Sequence, residues 1–209
     1  MSTLTLGLSR PVLADRIVAR SLTTDLALVL GGAALTAGLA QVTVPMWPVP
    51  ITGQTLAVLL VGSALGAMRG ASSLALYLVL GLVGLPVYAP QSDGGHLTGF
   101  AAAASPSFGY IVGFVVAAGV VGWLSERSWE RRFPKALATF AGGSLVVFAV
   151  GLPWLAVSLH ALGYPSDIEA TLVGGFYPFL LGGAVKAVIA AVLLPVAWRG
   201  ADALAERRR

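Results

Sequence analysis

Lysine and arginine are distributed along this chain in a way that fits a membrane topology and little else. Six apolar stretches, at about 25–44, 52–68, 70–86, 107–124, 136–162 and 171–198, divide the sequence. Of the 13 Lys and Arg residues, all but Lys186 lie before the first stretch, in alternate connections, or after the last. Arg10, Arg16 and Arg20 precede the first stretch, and Arg69 separates the second from the third. Arg127, Arg131, Arg132 and Lys135 separate the fourth from the fifth, while Arg199 and Arg207 to Arg209 follow the sixth. The remaining connections carry none. Basic residues stay on the cytoplasmic side of a bilayer, so an even number of spans with this bias puts both termini inside. The expected fold is therefore all-α: a polytopic six-transmembrane-helix bundle with both termini cytoplasmic.

Composition agrees. The chain is 57% apolar and 11% charged, with a mean hydropathy of +0.87, whereas soluble domains are about 25% charged. A single membrane domain over residues 1–209 is expected, without an appended soluble domain. The first 24 residues lack the apolar core of a secretory signal, so no cleaved leader is expected. The second stretch is near the lower limit of about 17 residues for a span. Pro153 should bend the outer half of the fifth, and Pro178 and Pro195 lie near the ends of the sixth. Trp47, Trp123, Trp129 and Trp198 fall at expected interfaces, where amphipathic rings are favoured. No internal repeat is evident, unlike the many secondary transporters built from duplicated halves.

Several chemistries lack their residues. There is no cysteine, which excludes disulfides and thiolate nucleophiles. His96 and His160 are the only histidines, widely separated in the sequence and both toward the outer side, so no metal site is expected. No GxxxxGK[ST] occurs, so the chain has no P-loop with which to hydrolyse ATP. No cofactor motif is present, and the basic residues are too dispersed for nucleic acid. Catalysis has no visible machinery.

Binding does. Lys186 sits inside the sixth stretch, about 13 residues or 20 Å of helix from either end, too deep for its stem to reach the headgroups. Intramembrane charges are costly and usually functional. No Asp or Glu lies within the six stretches except Asp25 at the start of the first. The partner of Lys186 is then a ligand carboxylate entering from outside, or helix carbonyls and water. Thr52 and Gln54 open the second stretch, either as a cap with a solvated glutamine or as binding groups. Tyr88, Asp93, Phe108 and Tyr110 would frame the external mouth, with Gly94, Gly95 and Gly109 permitting close backbone approach. Small residues recur at four-residue spacing in the first stretch, Ala33 with Ala37 and Ala34 with Gly38. Such stripes serve internal helix packing or the docking of a partner membrane protein.

The run Ala34 to Gln41, the block Pro48-Val49-Pro50-Ile51-Thr52-Gly53-Gln54-Thr55, and Gly84-Leu85-Pro86-Val87-Tyr88 resemble the BioY family. So do Phe108 to Phe114 and Gly151-Leu152-Pro153-Trp154-Leu155, and the similarity extends in order over about residues 25–198. The resemblance implies a biotin-binding substrate-capture (S) subunit of an energy-coupling factor transporter in a bacterial or archaeal plasma membrane. It also implies a membrane coupling subunit and a pair of cytoplasmic ATPases as partners. Carried over by position, Lys186 is the carboxylate partner, Asp93 precedes the Gly94-Gly95 pair, and Tyr110 ends a Gly-Gly-Tyr motif whose first glycine is here Phe108. Many members carry an acid where this chain has Gly183, and a more Gly-rich loop where it has Pro90-Gln91-Ser92. A self-sufficient secondary transporter for a small carboxylate vitamin is the competing reading; the lack of an intramembrane Asp, Glu or His relay counts against it.

Overall fold

The computed structural model describes residues 12–91 and 93–207. Arg10, Ser92, Arg208 and Arg209, named above, lie outside the described residues. Among the described residues the regular structure is almost wholly helical. A short helix α1 (Leu13–Ile17) precedes α2 (Leu22–Ala40), a two-stranded hairpin β1 (Thr43–Val44) and β2 (Ile51–Thr52), and α3 (Gln54–Leu65). Then come α4 (Ala67–Leu82), the small α5 (Gly99–Ala103), α6 (Phe108–Ser125), α7 (Phe133–Ala161), α8 (Ile168–Gly175) and α9 (Tyr177–Arg207). Four of these, α2, α6, α7 and α9, are long and apolar enough to cross a membrane, and α3 and α4 are shorter apolar helices. Central position distinguishes α6: 56% of it is buried, against 17% of α2. It packs on α3, α4 and α7, and its Ile111, Phe114, Ala117 and Val121 lie in the core.

The helix ends differ from the expected ones for identifiable reasons. The first stretch stops at Ala40, because Thr43 and Val44 pair with Thr52 and Ile51 in the antiparallel hairpin and the Val42 carbonyl accepts from the Gly53 N–H at 2.8 Å. β-Branched residues favour that extended conformation, and Pro45 removes the next N–H. The second stretch spans only Gln54–Leu65, about 18 Å of helix. It ends at Gly66, whose φ of +86° suits glycine alone, so the turn comes three residues before Arg69 and places Arg69 in the first turn of α4. The sixth stretch is two helices. Pro178 has no N–H to give to Gly174 and its ring would collide with that carbonyl, so α8 closes at Gly175 and α9 restarts at Tyr177. Pro153, by contrast, lies inside a continuous α7.

Arg16, Arg20, Arg69, Arg127 and Arg131 gather at one end of the bundle. Arg69 bonds both Asp15 and Asp25 at 2.9 Å, Arg20 reaches Asp15 at 2.6 Å, and Arg16 pairs with Asp202 at 3.0 Å. These contacts fasten α1 across the adjoining ends of α2, α4 and α9. At the same end Arg127 stacks on Trp123 and Arg131 on Trp198. Burial of Asp15 alone would raise its pKa. Hydrogen bonds from Arg20, Arg69 and the Val12 N–H outweigh that and hold the carboxyl down at about 2.

Three expectations follow. A Cβ at Gly122 would lie 2.3 Å from the Gly66 carbonyl carbon and 2.4 Å from Ala67 N, main-chain atoms that cannot yield. Gly122→Val should therefore cost about 1–3 kcal/mol, read as a lower melting temperature in detergent. Gly142→Ala, where an added Cβ meets nothing within 4 Å, should be neutral or stabilising by up to about 1 kcal/mol. The depressed carboxyl of Asp15 contributes stability that is complete above its ordinary pKa of 3.8 and lost as the pH falls toward about 2. Acidification through that window should speed hydrogen exchange of the amides of residues 13–17, and Asp15→Asn should show the faster exchange already at neutral pH.

Candidate functional site

Opposite the basic end, the hairpin and the connection 87–107 cover a cavity walled by α3, α6, α7 and α9. About 930 Å³ of space free of protein atoms, open solvent at the mouth included, lies between its lining residues. A second hollow, lined by Met46, Trp47, Pro90 and Pro106, shares Pro50, Gln91 and Leu97 with it and continues it toward the loop surface. Trp47 in the hairpin contacts the Tyr164 ring beyond α7, with centroids 5.5 Å apart.

One wall is aromatic. Tyr110 on α6 stacks on Phe179 of α9 at 6.2 Å, and Phe148 of α7 meets both rings edge-on at 6.3 and 6.2 Å. The Tyr110 hydroxyl donates to the Gly175 carbonyl at 2.9 Å. Carbonyls in the last turn of a helix have no partner within it, so the tyrosine satisfies the end of α8 while its ring faces the cavity. Gly109 beside it does not line the cavity. It lets α6 approach α7, since a Cβ there would fall 2.2 Å from the Trp154 Cβ.

The polar wall begins at the hairpin. The Thr52 hydroxyl donates to Gln54 Oε1 at 2.7 Å, and Gln54 Nε2 donates to the hydroxyl of the fully buried Tyr77. Gln54 is buried rather than solvated. The Tyr77 ring meets Tyr88 edge-on at 5.4 Å, and the Tyr88 hydroxyl donates to the Leu78 carbonyl. Tyr88 can lie so close to α4 only because residue 81 is glycine: a Cβ there would fall 2.1 Å from its Cζ.

Lys186 completes this wall. Its ammonium donates to the Thr52 carbonyl and, at 3.0 Å, to the Thr55 hydroxyl. Its protein partners are therefore a main-chain carbonyl from the hairpin and a hydroxyl. An ammonium has three N–H donors, and these two partners leave one for the cavity. Because α9 starts at Tyr177, Lys186 lies about 14 Å down the helix from that end, closer than a continuous sixth segment would put it.

Lys186, Tyr110, Tyr88 and Gln54 thus line one cavity. Asp93, Gly94 and Gly95 form an exposed turn above it and are not among its lining residues. The Asp93 carboxylate accepts from the Gly95 N–H at 2.9 Å, and the Gly95 carbonyl accepts from the Gln91 N–H at 2.7 Å. An aspartate bonding the backbone two residues on is a local turn device; its neighbour Gln91 reaches the cavity instead. The small-residue stripe of α2 splits by face. Ala33 is buried and Ala37 half-buried against the core, whereas Ala34 and Gly38 are exposed. Thr55, Ser144, Phe148 and Phe179 also line the cavity and were missed in the sequence. Thr55 carried a signal, one turn after Thr52, while the others look like ordinary helix residues.

Residues 10–203 match the model of the BioY family. A biotin transporter BioY of Rhizobium etli is 37% identical over 153 residues, 70% of this chain and 76% of that protein. One of Thermotoga maritima is 32% identical over 154 residues, 74% of this chain and 83% of that protein. In fold, the chain resembles a crystal structure of the S-component for biotin from an ECF-type ABC transporter. The TM-score is 0.65 at 24% identity, over 87% of this chain and 95% of that one.

Proposed function

The chain belongs to the BioY family, and on that premise we propose that it is the biotin-capturing membrane subunit of an energy-coupling factor uptake transporter. The observation that carries the proposal is the Lys186 ammonium in a mostly apolar cavity, held by only neutral partners among the described residues. Biotin has a carboxylate tail, an apolar thioether ring and a ureido group, and the cavity offers a complement to each part. Lys186 pairs with the carboxylate through a charge-assisted hydrogen bond. Tyr110, Phe148 and Phe179 enclose the ring system. Gln54, Tyr88 and the backbone of the mouth supply polar contacts, and the Asp93-Gly94-Gly95 turn closes over the entrance.

In the membrane, α2, α3, α4, α6, α7 and α9 act as six spans of a single domain, with the basic end and both termini in the cytoplasm and the cavity opening outward. The distribution of Lys and Arg supports that orientation, in the plasma membrane of a bacterial or archaeal cell. Lacking a P-loop, the subunit draws its driving force from two partner ATPases through a membrane coupling subunit. It releases biotin inward when coupled to them. The stripe of Ala33, Ala34, Ala37 and Gly38 contributes to that docking through its exposed members, Ala34 and Gly38, while Ala33 and Ala37 hold α2 on the bundle.

Lys186→Ala should weaken biotin binding by about 100-fold or more, the scale on which losing one partner of a buried charge pair is felt. Calorimetry on the purified protein reads the affinity, and an unchanged melting temperature shows that the fold survives. Mass spectrometry of the small molecule that co-purifies from mild detergent tests the identity of the ligand. Equal biotin affinity in the wild type and Lys186→Ala would remove the assigned role.

A further inference from the structure

Among the described residues, the cavity carries one charged side chain. Of the residues lining it, Lys186 alone bears a formal charge, and no Asp or Glu occurs in α3, α6, α7 or the Tyr177–Gly200 part of α9. Gly183 also lines the cavity. It lies three residues before Lys186, and residues three apart are neighbours on one helix face, about 5–6 Å between Cβ positions. Side chains on a helix lean toward its N-terminus, so the Lys186 stem extends toward position 183.

Packing does not require this glycine. A Cβ at Gly183 would meet no heavy atom within 4 Å, unlike Gly81, Gly109 and Gly122, where a neighbour fills the space. Glycine inside a helix is destabilising relative to alanine. Here that disadvantage is offset by no close contact; its consequence is open volume beside a cation.

We propose that Gly183 is a specificity-determining position: by leaving the Lys186 ammonium with open space and no counter-anion, it makes the cavity select ligands that bring a full negative charge. The inference rests on the biotin reading and narrows it to the free carboxylate form. A neutral analogue of the same shape leaves the ammonium with only its carbonyl and hydroxyl partners. An acid placed at position 183 would neutralise the ammonium from within, so that an anionic ligand gains little over a neutral one.

Biotin and biotinamide, whose tails end in a carboxylate and in a neutral carboxamide of similar shape, provide the test, with affinities measured by calorimetry on wild type, Gly183→Asp and Gly183→Asn. The wild type should prefer biotin by about 100-fold, Gly183→Asp should narrow the preference below about tenfold, and Gly183→Asn should keep it within about threefold of the wild type. If Gly183→Asp does not fold, Thr55→Asp places an acid at the other neighbour of the ammonium and should narrow the preference likewise. Equal binding of the two compounds by the wild type overturns the proposal while leaving biotin capture intact. So does an equal narrowing by Asn and Asp, which would make volume rather than charge the determinant, or an unchanged preference in a folded Asp variant. Failure of the wild type to bind either compound overturns the biotin reading and this inference together.

Discussion

A main-chain carbonyl holding an ammonium is the contact around which the cavity is organised. In a helix beginning at Thr52, the Thr52 carbonyl would accept from the Leu56 N–H. Here the Leu56 N–H goes to Gly53 at 3.0 Å, because the hairpin keeps Thr52 extended and α3 begins at Gln54. The carbonyl is thereby released from the helical ladder and becomes available to Lys186. The shortness of α3 therefore has a chemical consequence: the missing turn supplies the lysine with an acceptor.

The aromatic wall follows the same logic. Pro178 interrupts the ladder between α8 and α9, and the Gly175 carbonyl is taken up by the Tyr110 hydroxyl. At both walls, a broken helix exposes a main-chain group and a cavity side chain satisfies it. Apolar surroundings tolerate irregular backbone only where it is buried in protein or lines a cavity. The two breaks therefore lie beside the site rather than elsewhere along the long helices. They also couple it to neighbouring elements, since Thr52 belongs to the hairpin and Gly175 to α8.

Much of this was legible in the sequence, and the rest was hidden for physical reasons. Hydropathy and the placement of arginine located the apolar helices and their basic end, because both signals are summed over many residues. Helix ends were less accessible: Gly66 and Pro178 act through single dihedral angles and single N–H groups, which a long apolar window averages away. Lys186, Tyr110, Tyr88 and Gln54 were conspicuous as polar or aromatic residues against an apolar background. Phe148, Phe179 and Ser144 were not, because a bundle this apolar gives no contrast between a cavity face and a lipid face. The same lack of contrast hid the division of the α2 stripe. Asp93 was conspicuous too, but a carboxylate beside two glycines serves a turn as readily as a ligand, and its hydrogen bond to the Gly95 N–H uses it locally.

Among the described residues, the two most enclosed cations are treated oppositely. The Arg69 side chain is only 15% exposed and lies between two carboxylates, Asp15 and Asp25, on other elements. Its charge is compensated within the protein and ties α1 and α2 to α4. Lys186 is also partly buried, yet it receives a carbonyl and a hydroxyl and no carboxylate. Dipoles can orient an ammonium without cancelling its charge, and a charge left in a cavity of low polarity attracts an anion more strongly than one facing water. An internal acid would have made Lys186 a second structural bridge like Arg69. Its absence, with the open space at Gly183, leaves a cation fixed in position by neutral groups.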